Sequence, residues 1–237
     1  MTTSAVSIAQ SFIESFYPGC MLAVLGGSAA RNEWNPHSDL DLVILDDHAE
    51  RPYRKTVKFS GRLIECFVLT PSTYRTMFDA GIHAANPALQ RMIAEGTVIR
   101  REEAGMNVFT DALDDLSYGP MPWSEDELNR MRYVITEYVE DLKGAGNRSE
   151  VIFTANQLAI FICQFVLRVN REWVAEGKHL FGLLLASHPE RAGQLERALE
   201  ALYRTDDREP FIALTMEILD QYGGPLAEGY METGTVP

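Results

Sequence analysis

Two aspartates separated by one residue, Asp39 and Asp41, open an otherwise apolar stretch that runs through Leu40, Leu42, Val43, Ile44 and Leu45. In a β-strand, alternate residues share a face, so the two carboxylates point one way while Leu40 and Leu42 point the other, into a core. Neighbouring like charges disfavour each other, and a fold that keeps both needs abundant solvent or a cation between them. Oxygen-only ligands select a hard ion such as Mg²⁺. Two such ions, about 3.5–4 Å apart, can serve the attacking and the leaving oxygen of a phosphoryl displacement.

A third carboxylate is expected from a neighbouring strand. Leu63-Ile64-Glu65-Cys66-Phe67-Val68-Leu69 supplies one acid in an apolar run. Burying an unpaired carboxylate is costly, which directs Glu65 to the same site as the aspartates. Upstream, Gly26-Gly27-Ser28 follows the short apolar run Met21–Leu25. Glycine lets the backbone approach phosphate oxygens closely, and a serine hydroxyl adds a donor. Arg31 is a further candidate for phosphate, placed on a short helix expected over 29–33. Each feature has an ordinary reading by itself: a turn, a solvated strand face, an edge residue, a solvent-facing arginine. Their order and spacing together point to a metal-bound nucleotide.

Helical spacing predicts a helix over 4–16, ended by Pro18-Gly19. Strands are predicted near 21–25, 38–45, 53–59 and 62–69, the last two joined as a hairpin by Ser60-Gly61. Pro71-Ser72 opens a helix, 97–100 forms a short strand, and another helix starts from Glu102. Tyr118-Gly119-Pro120-Met121-Pro122 marks a boundary, dividing the chain into domains 1–120 and 121–237. Ser124 then caps a helix with three acids in its first turn. Helical periodicity continues over 125–143, 149–176, 179–187, 189–204 and 208–222. Strands followed by helices give an α+β fold, a small sheet domain with an all-helical bundle after it.

Gly26-Gly27-Ser28, Asp39-Leu40-Asp41 and a downstream Glu65 resemble the nucleotidyltransferase superfamily that includes DNA polymerase beta and kanamycin nucleotidyltransferase. The resemblance covers residues 20–70. It implies a small mixed sheet flanked by helices, a Mg²⁺-bound ATP or other nucleoside triphosphate, and transfer of a nucleoside monophosphate with loss of pyrophosphate. On this resemblance Gly27 and Ser28 hold phosphates, with Gly26 in the same turn, and Asp39 and Asp41 bind metal. Glu65 stands where the family often has Asp; it would be a metal ligand, the general base on the acceptor, or both. The helical half is laid out like the C-terminal domains of aminoglycoside-type nucleotidyltransferases, where Lys178, just past a helix break, would reach the triphosphate. Glu150 and Asp126 are acceptor-side acids or plain helix surface.

The net charge of −13 and the lack of an evident basic stripe argue against nucleic acid as the partner. They favour a small neutral or cationic acceptor, with aminoglycoside-like molecules the first guess. Labelling of a protein partner and a non-catalytic nucleotide-binding module on the same scaffold stand as alternatives. Cys20, Cys66 and Cys163 are odd in number and widely spaced, which suits a reducing cytoplasm better than a disulfide or zinc framework. No uninterrupted apolar run approaches the roughly 20 residues of a bilayer span, so no membrane partner is expected. The stretch Phe153–Phe165 is apolar almost all round a helix, as a central bundle helix or a homodimer interface would be.

Overall fold

The structure, a computed structural model, describes residues 4–30 and 38–232. It divides into two compact units, Met1–Gly119 and Pro120–Pro237.

In the first unit the elements run α1 (Ala5–Phe16), β1 (Leu22–Leu25), α2 (Gly27–Ala30), β2 (Leu40–Leu45), β3 (Tyr53–Phe59), β4 (Arg62–Leu69), α3 (Tyr74–His83), α4 (Ala88–Glu95), β5 (Thr97–Arg101) and α5 (Met106–Tyr118). Among the described residues these strands form one mixed sheet in the order β3-β4-β2-β1-β5. β2 and β4 run parallel, and the other neighbouring pairs are antiparallel. The four residues of β1 are fully buried, as expected of a strand covered on both faces. On one face, Ala5, Ile8, Ala9, Phe12 and Ile13 of α1 pack with Leu40, Leu42, Ile44, Ile64 and Cys66. On the other face, Val43, Leu45 and Leu69 pack with Phe78, Ile93, Val108 and Ala112 from α3, α4 and α5. Ser4 caps α1 by accepting the Ser7 N–H, and Ser60 (φ 49°) and Gly61 (φ 77°) form the two-residue turn between β3 and β4.

The second unit consists of α6 (Glu125–Gly144), α7 (Arg148–Val169), α8 (Lys178–Ser187), α9 (Pro189–Thr205) and α10 (Glu209–Asp220). Trp123 packs inside this unit, its ring 5.9 Å from Phe165 and 5.3 Å from the Arg168 guanidinium. α7 is shorter than the predicted 149–176 helix. Arg171 takes a left-handed φ of 58°, its N–H bonds to the Arg168 carbonyl, and the Glu172 N–H bonds back to Leu167. These two bonds are a Schellman motif, which satisfies the last carbonyls and ends the helix. By length and composition α7 is long and apolar enough to cross a membrane. Its residues Val151, Ala155, Leu158, Ile162 and Phe165 are buried within the unit, while Phe153 and Ile160 are exposed.

α6 begins with a reciprocal cap. The Ser124 hydroxyl accepts the Glu127 N–H at 3.2 Å, and the Glu127 carboxylate accepts the Ser124 N–H at 2.7 Å. The Ser124 N–H and the Ser124 hydroxyl, which also donates to the carboxylate at 2.7 Å, hold the Glu127 carboxyl below its ordinary value. A group with a depressed folded-state pKa stabilises above its unfolded value and loses that contribution as the pH falls through the folded one. Ser124→Ala is expected to cost about 1 kcal/mol at neutral pH, with the difference narrowing below about pH 4. Denaturant titrations at the two pH values measure it, and an unchanged neutral-pH midpoint contradicts it.

Candidate active site

The sheet register brings the predicted acids together. Asp41 on β2 stands directly beside Glu65 on the parallel strand β4, and Asp39 immediately precedes β2. Carboxylate oxygens of Asp39, Asp41 and Glu65 all lie within 4.8 Å of one another. Asp39 is exposed and the other two are half-buried, whereas Val43 and Leu45, further along the same face, are fully covered.

The glycine turn is built around Asp41. The Gly26 N–H donates to the Asp41 carbonyl at 2.8 Å, so this donor fixes the start of β2 against the end of β1. Gly27 has a φ of +63°, and a Cβ added there would come within 2.0 Å of Asp41 Oδ2. Both constraints require glycine: the left-handed backbone and the closeness of the carboxylate. At Gly26 an added Cβ would meet Met92 Cβ at 2.9 Å. Ser28 is half-buried in α2, which starts at Gly27, two residues before the predicted helix. Arg31 lies outside the described residues. Lys178 is exposed as the first residue of α8, in the second unit.

Glu65 has two partners that inspection of the acids alone did not single out. Arg54 Nε and Nη2 each approach Glu65 Oε1 at 2.6 Å. Thr56, opposite Glu65 in the β3–β4 ladder, donates from Oγ1 to the same oxygen over a longer 3.5 Å. The Arg54 guanidinium also sits 5.1 Å from the Phe67 ring centre. It offsets one negative charge of the group and orients Glu65.

Other candidates fall elsewhere. Glu150 accepts the Gly146 N–H at 2.7 Å and so closes the loop before α7. Asp126 lies in the first turn of α6. A second acid group, Asp46, Asp47 and His48, follows the far end of β2, with His48 Nδ1 at 3.1 and 2.9 Å from the two aspartates. All three cysteines are free and buried. Burial pushes the Cys20 and Cys66 thiols up to about 11 and Cys163 to about 12, so none supplies a thiolate nucleophile at neutral pH.

The donor set of Asp39, Asp41 and Glu65 fits a divalent cation. It is all oxygen, it converges within one ion's reach, and the missing Cβ of Gly27 leaves room for the Asp41 carboxylate.

Residues 10–100 match the family model described as nucleotidyltransferase domain, a span that includes β1 to β4, the glycine turn and the three acids. Among solved structures, the chain is similar to a nucleotidyltransferase-like protein from Exiguobacterium sibiricum 255-15. The identity is 12%, the alignment covers 91% of this chain and 73% of that one, and the TM-score is 0.46. No curated protein matches the chain.

Gly27→Ala tests the geometry. It is expected to displace the Asp41 carboxylate and weaken Mn²⁺ or Mg²⁺ binding at least tenfold, read by calorimetry, with the far-UV circular dichroism of the fold retained. A folded variant of unchanged metal affinity contradicts this account of the turn.

Proposed function

We propose, from the premise that residues 10–100 are a nucleotidyltransferase domain, that this chain is a Mg²⁺-dependent enzyme moving a nucleoside monophosphate from ATP, or another nucleoside triphosphate, to a hydroxyl of a small acceptor. The observation that carries the reading is the convergence of Asp39, Asp41 and Glu65 within 4.8 Å, beside a glycine turn that the Asp41 carboxylate itself contacts closely.

In this reading Asp39, Asp41 and Glu65 hold the metal. Bound Mg²⁺ supplies positive charge that neutralises the phosphates and favours departure of pyrophosphate. Gly27 and Ser28 present backbone N–H groups and a hydroxyl to the phosphate oxygens, and Gly26 fixes the turn against Asp41. Arg31 is proposed as a further phosphate partner. The acceptor oxygen forms a bond to the α-phosphorus, the bond from that phosphorus to the bridging oxygen breaks, and pyrophosphate leaves. The acceptor proton passes to Glu65 or a neighbouring acid of the group. Arg54 keeps Glu65 aimed, so that its contribution is one of position and costs no reorganisation during reaction. The three unpaired buried thiols agree with a cytoplasmic location.

Asp39→Asn and Asp41→Asn preserve size and remove one charge each. Either is expected to lower Mg²⁺-dependent pyrophosphate release from ATP by at least a hundredfold, with thermal unfolding at or above the wild-type temperature because a repulsion is removed. The assay is run over a panel of hydroxyl acceptors, and chelation with EDTA should abolish the signal until Mg²⁺ is restored. Full turnover in both variants defeats the assignment. ATP binding with no pyrophosphate release from wild type would instead mark a non-catalytic nucleotide-binding module.

A further inference from the structure

β4 lies between β2 and β3, so Glu65 has a ladder neighbour on each side, Asp41 on β2 and Thr56 on β3. Its carboxylate is therefore shared between the acids and the sheet edge. The bonds from the edge all fall on one oxygen. Arg54 Nε and Nη2 each reach Glu65 Oε1 at 2.6 Å, and Thr56 Oγ1 donates to it at 3.5 Å. Oε2 takes part in none of these bonds. A carboxylate oxygen offers two lone pairs, so the guanidinium fills Oε1 and Oε2 is the oxygen left for a metal.

The register alone would not make this pair. Arg54 stands opposite Phe67 in the ladder, and its guanidinium crosses diagonally to Glu65 while lying 5.1 Å from the Phe67 ring centre. A guanidinium is always charged in a protein, so its positive charge is a permanent part of the group. Three carboxylates and one guanidinium together carry two negative charges, which one divalent ion cancels. A second such ion would meet excess positive charge and a Glu65 with both oxygens taken. We infer that Arg54 is a resident counter-cation of the metal site. It confines Glu65 to a single metal bond, limits the three acids to one divalent ion when no nucleotide is present, and holds down the affinity for that ion. The inference rests on the nucleotidyltransferase reading of the site and gives the bare site one ion where the acids alone suggest two.

An ion pair across a sheet edge also supports strand pairing, and exposed pairs contribute little. That role makes no demand on the metal. The sign of the metal effect separates it from a purely orienting one. A residue that only aimed Glu65 would weaken metal binding when removed, whereas loss of a counter-cation strengthens it. Charge outweighs aim here, because the Glu65 side chain is only 12% exposed and keeps Thr56 as a partner. The Arg54 side chain is 66% exposed, so solvent screens its charge and the effect is moderate.

Mn²⁺ is titrated by calorimetry into the full-length protein without nucleotide, using wild type, R54Q, R54M and K58Q. Lys58 is the charge control, since strand alternation puts it on the same face of β3 as Arg54. R54M keeps an apolar contact with Phe67 in case glutamine disturbs the strand, and circular dichroism checks that each variant is folded. Wild type is expected to take up one ion per chain. R54Q and R54M should bind it at least threefold tighter, a gain that shrinks as salt is raised, and K58Q should stay within twofold of wild type.

The inference is overturned if wild type takes up two ions or none, or if the folded Arg54 variants bind Mn²⁺ no tighter than wild type. It is overturned as well if K58Q tightens binding as much as R54Q does. Failure of the parent reading looks different: Mn²⁺ would bind wild type and the variants as expected, yet no nucleoside triphosphate would release pyrophosphate with any acceptor. Pyrophosphate release by wild type, with R54Q unchanged in Mn²⁺ affinity, would leave the enzyme reading in place and remove this one.

Discussion

Mutual repulsion among Asp39, Asp41 and Glu65 is the constraint around which the first unit is arranged. Like charges this close together disfavour each other. A flexible loop would relieve the strain by moving its carboxylates apart. Here Asp41 and Glu65 are held side by side by a parallel ladder that continues to Leu45 and Leu69, both buried. Separating the acids would mean giving up the register of two core strands. The fold thus retains the repulsion, and Arg54 offsets part of it at Glu65. The negative potential that remains is of the sign that would favour a hard cation there.

The same argument explains the short segment between β1 and α2. β1 is only four residues long but entirely buried, so the chain leaves it at a fixed point and in a fixed direction. The Gly26 N–H then ties to the Asp41 carbonyl, and Gly27 turns with a left-handed backbone against the Asp41 side chain. Any side chain at residue 27 would collide with the carboxylate that the ladder holds in place. Turn and acid therefore constrain each other, which places the proposed phosphate donors next to the proposed metal ligands without a long-range device.

Much of this was readable from the residues, and the gaps have physical causes. Alternation within Asp39-Leu40-Asp41-Leu42 fixes which way each side chain points, and the leucines are indeed fully buried. Because Ser60-Gly61 is a two-residue hairpin turn, Phe59 must pair with Arg62, and counting outward sets Thr56 opposite Glu65 and Arg54 opposite Phe67. Arg54 and Thr56 could therefore have been located from the sequence by counting, although composition alone gave them no prominence. The pairing of Asp41 with Glu65 is another matter. Parallel strands are joined by distant connections, so no local turn fixes their register, and only the packing of both faces selects it. The end of α7 was likewise hidden: apolar spacing continues past Val169, and a left-handed arginine is not a residue type that announces a helix terminus.

Net charge is a property of the whole molecule, and a site answers to its own neighbours. A total of −13 describes the far field of the molecule, which governs solubility and long-range approach. At physiological ionic strength, charges more than about 8 Å from a ligand are largely screened, so a docking group responds to the side chains it nearly touches. Along β3 those side chains are cationic, and one of them is bonded to a carboxylate of the candidate metal site. The hairpin therefore does two things at once. It forms the sheet edge next to the strand of Glu65, and it sets the Arg54 guanidinium against a carboxylate of the acidic group.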